Sequence, residues 1–191
     1  VRINGREVLP GEALSEVEAL ESLPAAPIEG LYEITRVGRL PKISEDGRAP
    51  ADAYARPFYN RPGQPTVSIV LGGLGINYTH TINAIEELPA EVTLSFAPHA
   101  RGLDTWVRRA RADGHEVLIE LPLEPYDHGR VRPHANTLQT GAGADANVAR
   151  LERVLALASG YYGVINYQGD KFATDPEAVA PMLQALTARG I

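Results

Sequence analysis

The sequence predicts an α/β fold in which parallel strands alternate with helices, and three observations carry that prediction. Short apolar, β-branched runs recur after Pro65, each followed by a segment of ten or more residues with helical periodicity. Glycine and proline punctuate the joins, as in Gly72-Gly73 and in Asp175-Pro176. Strands separated by whole helices pair in parallel through right-handed crossovers.

The first 65 residues follow a different rule. Pro10, Pro24, Pro27, Pro41, Pro50, Pro57, Pro62 and Pro65 interrupt any long element. One short helix is predicted from Glu12 to Leu23, with Leu14, Val17 and Leu20 as its apolar stripe and Pro24 as its stop. The rest of this arm is expected to lie extended over the domain, anchored by Tyr54, Phe58 and Tyr59. Residues 1–65 are thus an N-terminal arm and 66–191 a β/α domain.

Within the domain, strand Thr66–Leu71 (TVSIVL) suits burial on both faces. A helix Thr79–Leu88, a strand Val92–Phe96, a helix Leu103–Ala112 and a strand Glu116–Leu121 follow. The long loop Pro122–Gly143 leads to a helix Asp145–Ala158 and a strand Gly163–Asn166. Pro176 opens the last helix, to Arg189, and Gly190 closes it. Four such units predict an incomplete β/α barrel, truncated at the C-terminus, or else an open doubly wound sheet. Edge strands are normally covered. The arm, packed on the sheet flank with Tyr54 and Phe58 buried, or a further C-terminal segment, is the expected cover.

Composition narrows the function. The 191 residues carry 18 Lys and Arg against 24 Asp and Glu, a net charge of -6 with no concentrated basic face, which argues against nucleic acid as a partner. The densest basic stretch, Arg101 to Arg111, reads as a helix with its arginines on the solvated side. No apolar run reaches the ~18–20 residues needed to span a bilayer. There is no cysteine, so thiols say nothing about compartment.

In parallel β/α folds the working groups sit at the carboxyl ends of strands. These ends carry Gly72 and Gly73, then His99, then Glu120 and Glu124, then Asn166 and Tyr167. Glu120 ends a strand as an acceptor, and Glu124 follows it between Pro122 and Pro125. Asn166 and Tyr167 offer an amide and a phenol to a ligand, or cap the next turn. His99 lies in a loop, His115 lies at the opposite end of its strand, and His128 and His134 lie in the long loop.

Several familiar motifs fail. The register from Gly73 to Tyr78 lacks the third glycine of the dinucleotide fingerprint, and no Gly-Lys-Ser/Thr phosphate loop or Gly-x-Ser-x-Gly elbow is present. The His115-Glu116 pair has Ile119, not His, at the fifth position.

The segments VSIVLGGLG, VTLSFAPHAR, GHEVLIELPLEP, TLQTG and GVINYQGDKF resemble the divergent polysaccharide deacetylases, distant relatives of the NodB-type carbohydrate esterases. The similarity runs from Ala55 to Ile191. The upstream APIEGLY and DGRAPADAYARPF resemble the segment preceding the domain in alphaproteobacterial members. The resemblance implies a NodB-like barrel, a carbohydrate substrate and work in the periplasm or cell envelope. In metal-bearing members a pair of aspartates ends the first strand. Its second Asp and two histidines bind a divalent metal such as zinc, and the first Asp is the base that helps water attack an N-acetyl group. Here the aspartates fall on Gly72-Gly73 and the histidines on Glu120 and Tyr167. The resemblance therefore implies no metal, no cofactor and a degenerate, non-catalytic domain that binds a cell-wall glycan or an envelope protein. Two other expectations stand beside it. One is an active hydrolase using Glu120 or Glu124; the other is a docking role for the N-terminal arm.

Overall fold

The computed structural model describes residues 22–58, 63, 65–127 and 134–191, together with two short strands near the N-terminus. Those strands, β1 (Arg2–Ile3) and β2 (Arg6–Glu7), pair antiparallel. A hairpin of β3 (Tyr32–Thr35) and β4 (Gly38–Pro41) and a short helix α1 (Pro50–Tyr54) complete the arm. The helix expected from Glu12 to Leu23 lies almost wholly outside the described residues, as do Tyr59 and His128.

The domain then runs β5 (Val70–Leu74), α2 (Tyr78–Glu87), β6 (Thr93–Phe96), α3 (Leu103–Ala112), β7 (Val117–Leu123), α4 (Ala144–Leu155), β8 (Gly163–Gln168) and α5 (Pro176–Ala188). Local chemistry fixes the helix ends. Asn77 accepts the His80 N–H at the start of α2, and Asp175, just before Pro176, accepts from Glu177 and Ala178 at the start of α5. Gly190, at φ 72°, ends α5 in a conformation that side chains disfavour.

β5 to β8 form one parallel sheet in the order β5-β6-β7-β8. Alternating strands and helices are as the sequence predicts. Among the described residues the four strands leave β5 and β8 as edges. Strand boundaries differ from expectation at β5, β7 and β8. In the run Thr66–Ile69 the Ile69 carbonyl accepts the Thr93 N–H, and β5 starts at Val70. β7 extends through Pro122 to Leu123 because β8, itself running on to Gln168, pairs with it to that point, while beyond Ile119 the long loop returns on the side of β6. There Leu138 donates to the Pro122 carbonyl and accepts from the Glu124 N–H.

One core serves all four helices. Leu94, Phe96, Val117, Ile119 and Leu121 on the sheet meet Ile85 of α2, Val107 of α3, Leu151 and Leu155 of α4 and Leu186 of α5. Because strand side chains alternate, Thr93, Ser95, Leu118, Glu120 and Pro122 project to the other face.

The arm closes the amino-terminal end of the sheet, the end opposite the expected site. Its organiser is Arg111, 1 % exposed, at the end of α3. The guanidinium donates to the carbonyls of Pro24, Tyr54 and Gly160, and it stacks over the Tyr54 ring. Its hydrogen bonds go to backbone carbonyls, which carry most of the burial, while the Glu116 carboxylate favours its charge from a greater distance. Arg189, at the end of α5, ties Glu33 and the Pro41 carbonyl of the hairpin to Glu152 of α4. Arg56 donates to Glu116 and to the Gly114 carbonyl.

The expected covering of the sheet edge is corrected in part. Tyr54 is buried, but Phe58 is 68 % exposed. Val67 and Ile69 before β5, and Val70 and Leu71 within it, are exposed as well. The arm spends its contacts beneath the strands rather than along that edge.

Removing the Arg111 donors strands the two buried carbonyls of Tyr54 and Gly160, each worth roughly 1–3 kcal/mol when unsatisfied, and frees the part-buried Pro24 carbonyl. Arg111→Ala is therefore expected to cost at least about 2 kcal/mol in urea unfolding, and Arg111→Lys less, since an ammonium can still serve part of the set. A loss below about 1 kcal/mol for Arg111→Ala would show that the arm is not pinned here.

Candidate functional site

The site is built around a break in β5. Leu71 aligns with Leu94 and Leu74 with Phe96, so two residues, Gly72 and Gly73, oppose the single Ser95. This is a β-bulge, and Gly73 takes a left-handed φ of 75° to make it. The bulge presents the Gly73 N–H to the open face, where it donates to Glu120 Oε1 at 2.5 Å. The Ser95 hydroxyl, fully buried, lies 3.5 Å from the same oxygen.

Glu120 thus occupies the middle of a row that crosses the sheet. Ile165 aligns with it on β8, and Ser95 of β6 aligns with Leu118, two residues before Glu120 on the same face. The residue is 5 % exposed and its second oxygen, Oε2, is enclosed without any hydrogen bond among the described residues. Gly72 is what leaves room. A β-carbon built on it would sit 3.1 Å from Glu120 Oε1, while the glycine itself is open to solvent.

The other candidates divide. Tyr167 aligns with Pro122, two residues along from Glu120 on the same face, and is 43 % exposed at the lip of the row. Asn166 aligns with Leu121 of the helix-side core, and its amide donates to the Gln168 carbonyl. It shapes the turn after β8, where Gln168 adopts φ 57°, and is not in the row. His99 is exposed and stands apart, its ring 6.2 Å from that of His134. Burial and the neighbouring His99 hold the His134 imidazole below its ordinary range, and its Nδ1 accepts the Asn136 N–H.

Glu124 is fully occupied. Oε1 accepts from Lys171 Nζ at 2.8 Å, and Oε2 accepts from the Thr140 N–H and hydroxyl at 2.8 and 3.0 Å. Its backbone bonds both Leu138 and Phe172. Glu124 therefore staples the long loop and the segment after β8 to the end of β7, with both of its oxygens engaged. Burial alone raises its pKa, but the bonds from Lys171 and Thr140 outweigh that and hold the carboxyl below the ordinary range. Ser95 was not among the sequence candidates; its alternation with Leu94 and Phe96 was the signal that placed it on the open face.

A family model described as divergent polysaccharide deacetylase matches residues 69–191. The chain belongs to the divergent polysaccharide deacetylases. Among solved structures it is similar to the uncharacterized protein ATU2773 of Agrobacterium tumefaciens C58, with a TM-score of 0.76 and 40% identity over 81% of this chain. Among curated proteins it is 28% identical over 127 residues to the uncharacterized protein YibQ of Escherichia coli K12. The chain spans 62% of ATU2773 and 37% of YibQ.

The residues of this divergent polysaccharide deacetylase do not fit the metal of the family's metal-bearing members. Gly72 and Gly73 offer no side-chain donor. Glu120 is one carboxylate, already bonded through Oε1 to the Gly73 N–H. A neutral tyrosine is a poor ligand, whereas a catalytic zinc takes three good protein ligands. No group of three or more His, Asp or Glu able to hold a metal occurs among the described residues.

Two expectations follow. A side chain at Gly72 must collide with the Glu120 carboxylate, and an acid there adds like-charge repulsion. Gly72→Asp is expected to lose about 1–3 kcal/mol by urea unfolding, most of it recovered in the double variant with Glu120→His. Additive losses in that double-mutant cycle would mean that the two positions do not meet.

The second concerns pH. Because the native pKa of Glu124 lies below its unfolded value, its stabilisation is complete above the ordinary carboxylate range and is lost as pH falls through the native value. Glu124→Gln should cost about 1–2 kcal/mol at pH 7, with the gap to the parent closing below about pH 4. A gap that stays constant down to about pH 3 would remove the ion pair from the account.

Proposed function

We propose that this domain binds a cell-envelope glycan at the exposed lip by Gly72 and Tyr167, on the sheet face that carries Glu120, without a metal, and that it no longer hydrolyses. The observation that carries the reading is the enclosed Glu120 carboxylate, bonded to the Gly73 amide and facing the gap over Gly72. Tyr167 at the lip adds an aromatic face of the kind that stacks on sugar rings. Family membership supports carbohydrate as the ligand class, and supports the periplasm or cell envelope as its place of work. The single core shared by four crossover helices supports an arc of a NodB-type barrel, since a doubly wound sheet divides its helices between two faces. On this reading 66–191 is the binding domain and the arm a structural brace.

An active deacetylase using Glu124 is disfavoured by the ion pair and hydrogen bonds that occupy that residue. Glu120 alone supplies one carboxylate and no second acid, base or metal. Two measurements test the proposal together. In calorimetry or pulldown, the chain should retain peptidoglycan fragments or glucosamine-based oligomers, acetylated or not, with weakened retention of at least one of them on Glu120→Gln. In an acetate-release assay, N-acetylated oligomers should remain intact with and without added zinc. Acetate release abolished by Glu120→Gln would restore the enzyme reading, and no retention of any glycan would sink the binding one.

A further inference from the structure

We infer that the gap over Gly72 is a subsite for a protonated amine, so that the preferred ligand is a glycan carrying free amino sugars rather than N-acetylated ones. The inference rests on the glycan-binding reading and specifies its chemistry.

A carboxylate is an acceptor on both oxygens, and a buried one is costly unless its charge is met. The donors that reach Glu120, the Gly73 N–H and the Ser95 hydroxyl, are both neutral and both fall on Oε1. Oε2 receives nothing, and no Lys, Arg or His pairs with the group among the described residues. The negative charge is therefore held in place, by the bulge and by Ser95, without a cation. Glu124 shows the contrast within the same molecule, since it is balanced by Lys171.

The geometry says where a cation would enter. A β-carbon built on Gly72 would lie 3.1 Å from Oε1 with no other neighbour within 4 Å beyond the adjacent residues, and Gly72 is open to solvent, so no side chain fills the approach to Oε1 from over Gly72. A divalent metal needs further ligands that the row lacks. An ammonium needs only one carboxylate, and it brings three N–H donors, enough to reach Oε1 and, after a small turn of the side chain, the unpartnered Oε2. The nitrogen of an N-acetylated sugar is a neutral amide with one N–H and a bulky acyl group, so it meets neither the charge nor the space.

The test compares fully deacetylated and fully N-acetylated tetramers of glucosamine by isothermal titration at mildly acidic pH, where an aliphatic amine is protonated. The parent chain is expected to bind the amine form at least about tenfold more tightly, the scale of one charge-assisted hydrogen bond. Glu120→Gln should erase that preference, and Gly72→Ala, which fills the gap while leaving the charge, should weaken the amine form selectively. Thermal melts of both variants establish that they are folded. Equal affinity for the two tetramers, or a preference that survives Glu120→Gln, overturns the inference while leaving glycan binding intact. If neither tetramer binds the parent chain, the inference fails together with the reading beneath it.

Discussion

The bulge at Gly72-Gly73 is the constraint on which the site depends. Two residues opposite Ser95 leave one amide free of the ladder, and the left-handed φ of Gly73 aims that amide across the sheet at Glu120. An L-residue at Gly73 pays roughly 1–2 kcal/mol for the same backbone, and any side chain at Gly72 enters the space beside the carboxylate. Glycine at both positions and glutamate at 120 are therefore mutually dependent, since the carboxylate of the third strand lies beside the space that the glycines of the first strand leave.

The two ends of the sheet do different work. At the amino-terminal end Arg111 and Arg189 gather arm, helices and strand starts through carbonyl and carboxylate acceptors. At the carboxyl end Glu124 and Lys171 hold the long loop and the turn after β8 in register with β7. Glu120 sits between these braces and is bonded through only one of its two oxygens. A rigid frame around an incompletely satisfied polar group is the arrangement expected of a site that waits for a ligand.

The sequence made the strand-helix rhythm legible because each unit has its own local signal. The apolar run at Val117–Ile119, the stripe of α3 and the Asp175-Pro176 start of α5 can each be read without knowing their neighbours. Glu120 and Tyr167 were legible as candidates because strand ends carry function in parallel folds. What stayed hidden depended on partners distant in the chain. Glu124 looks like a site residue until Thr140 and Lys171 are seen to occupy it. Asn166 and Tyr167 are adjacent in sequence but fall on opposite faces, and Phe58 looks like an anchor although the arm packs beneath the strands. Ser95 is one polar residue in an apolar run, and only the register across β6 and β7 gives it a role.

The central claim is that a single glutamate, not a metal, organises this pocket, and zinc affinity measures it most directly. Titration of the purified chain with zinc should show no stoichiometric site that depends on Glu120, so the parent and Glu120→Ala give the same isotherm. One tightly bound zinc per chain, lost in Glu120→Ala, would contradict the account and return the site to metal chemistry.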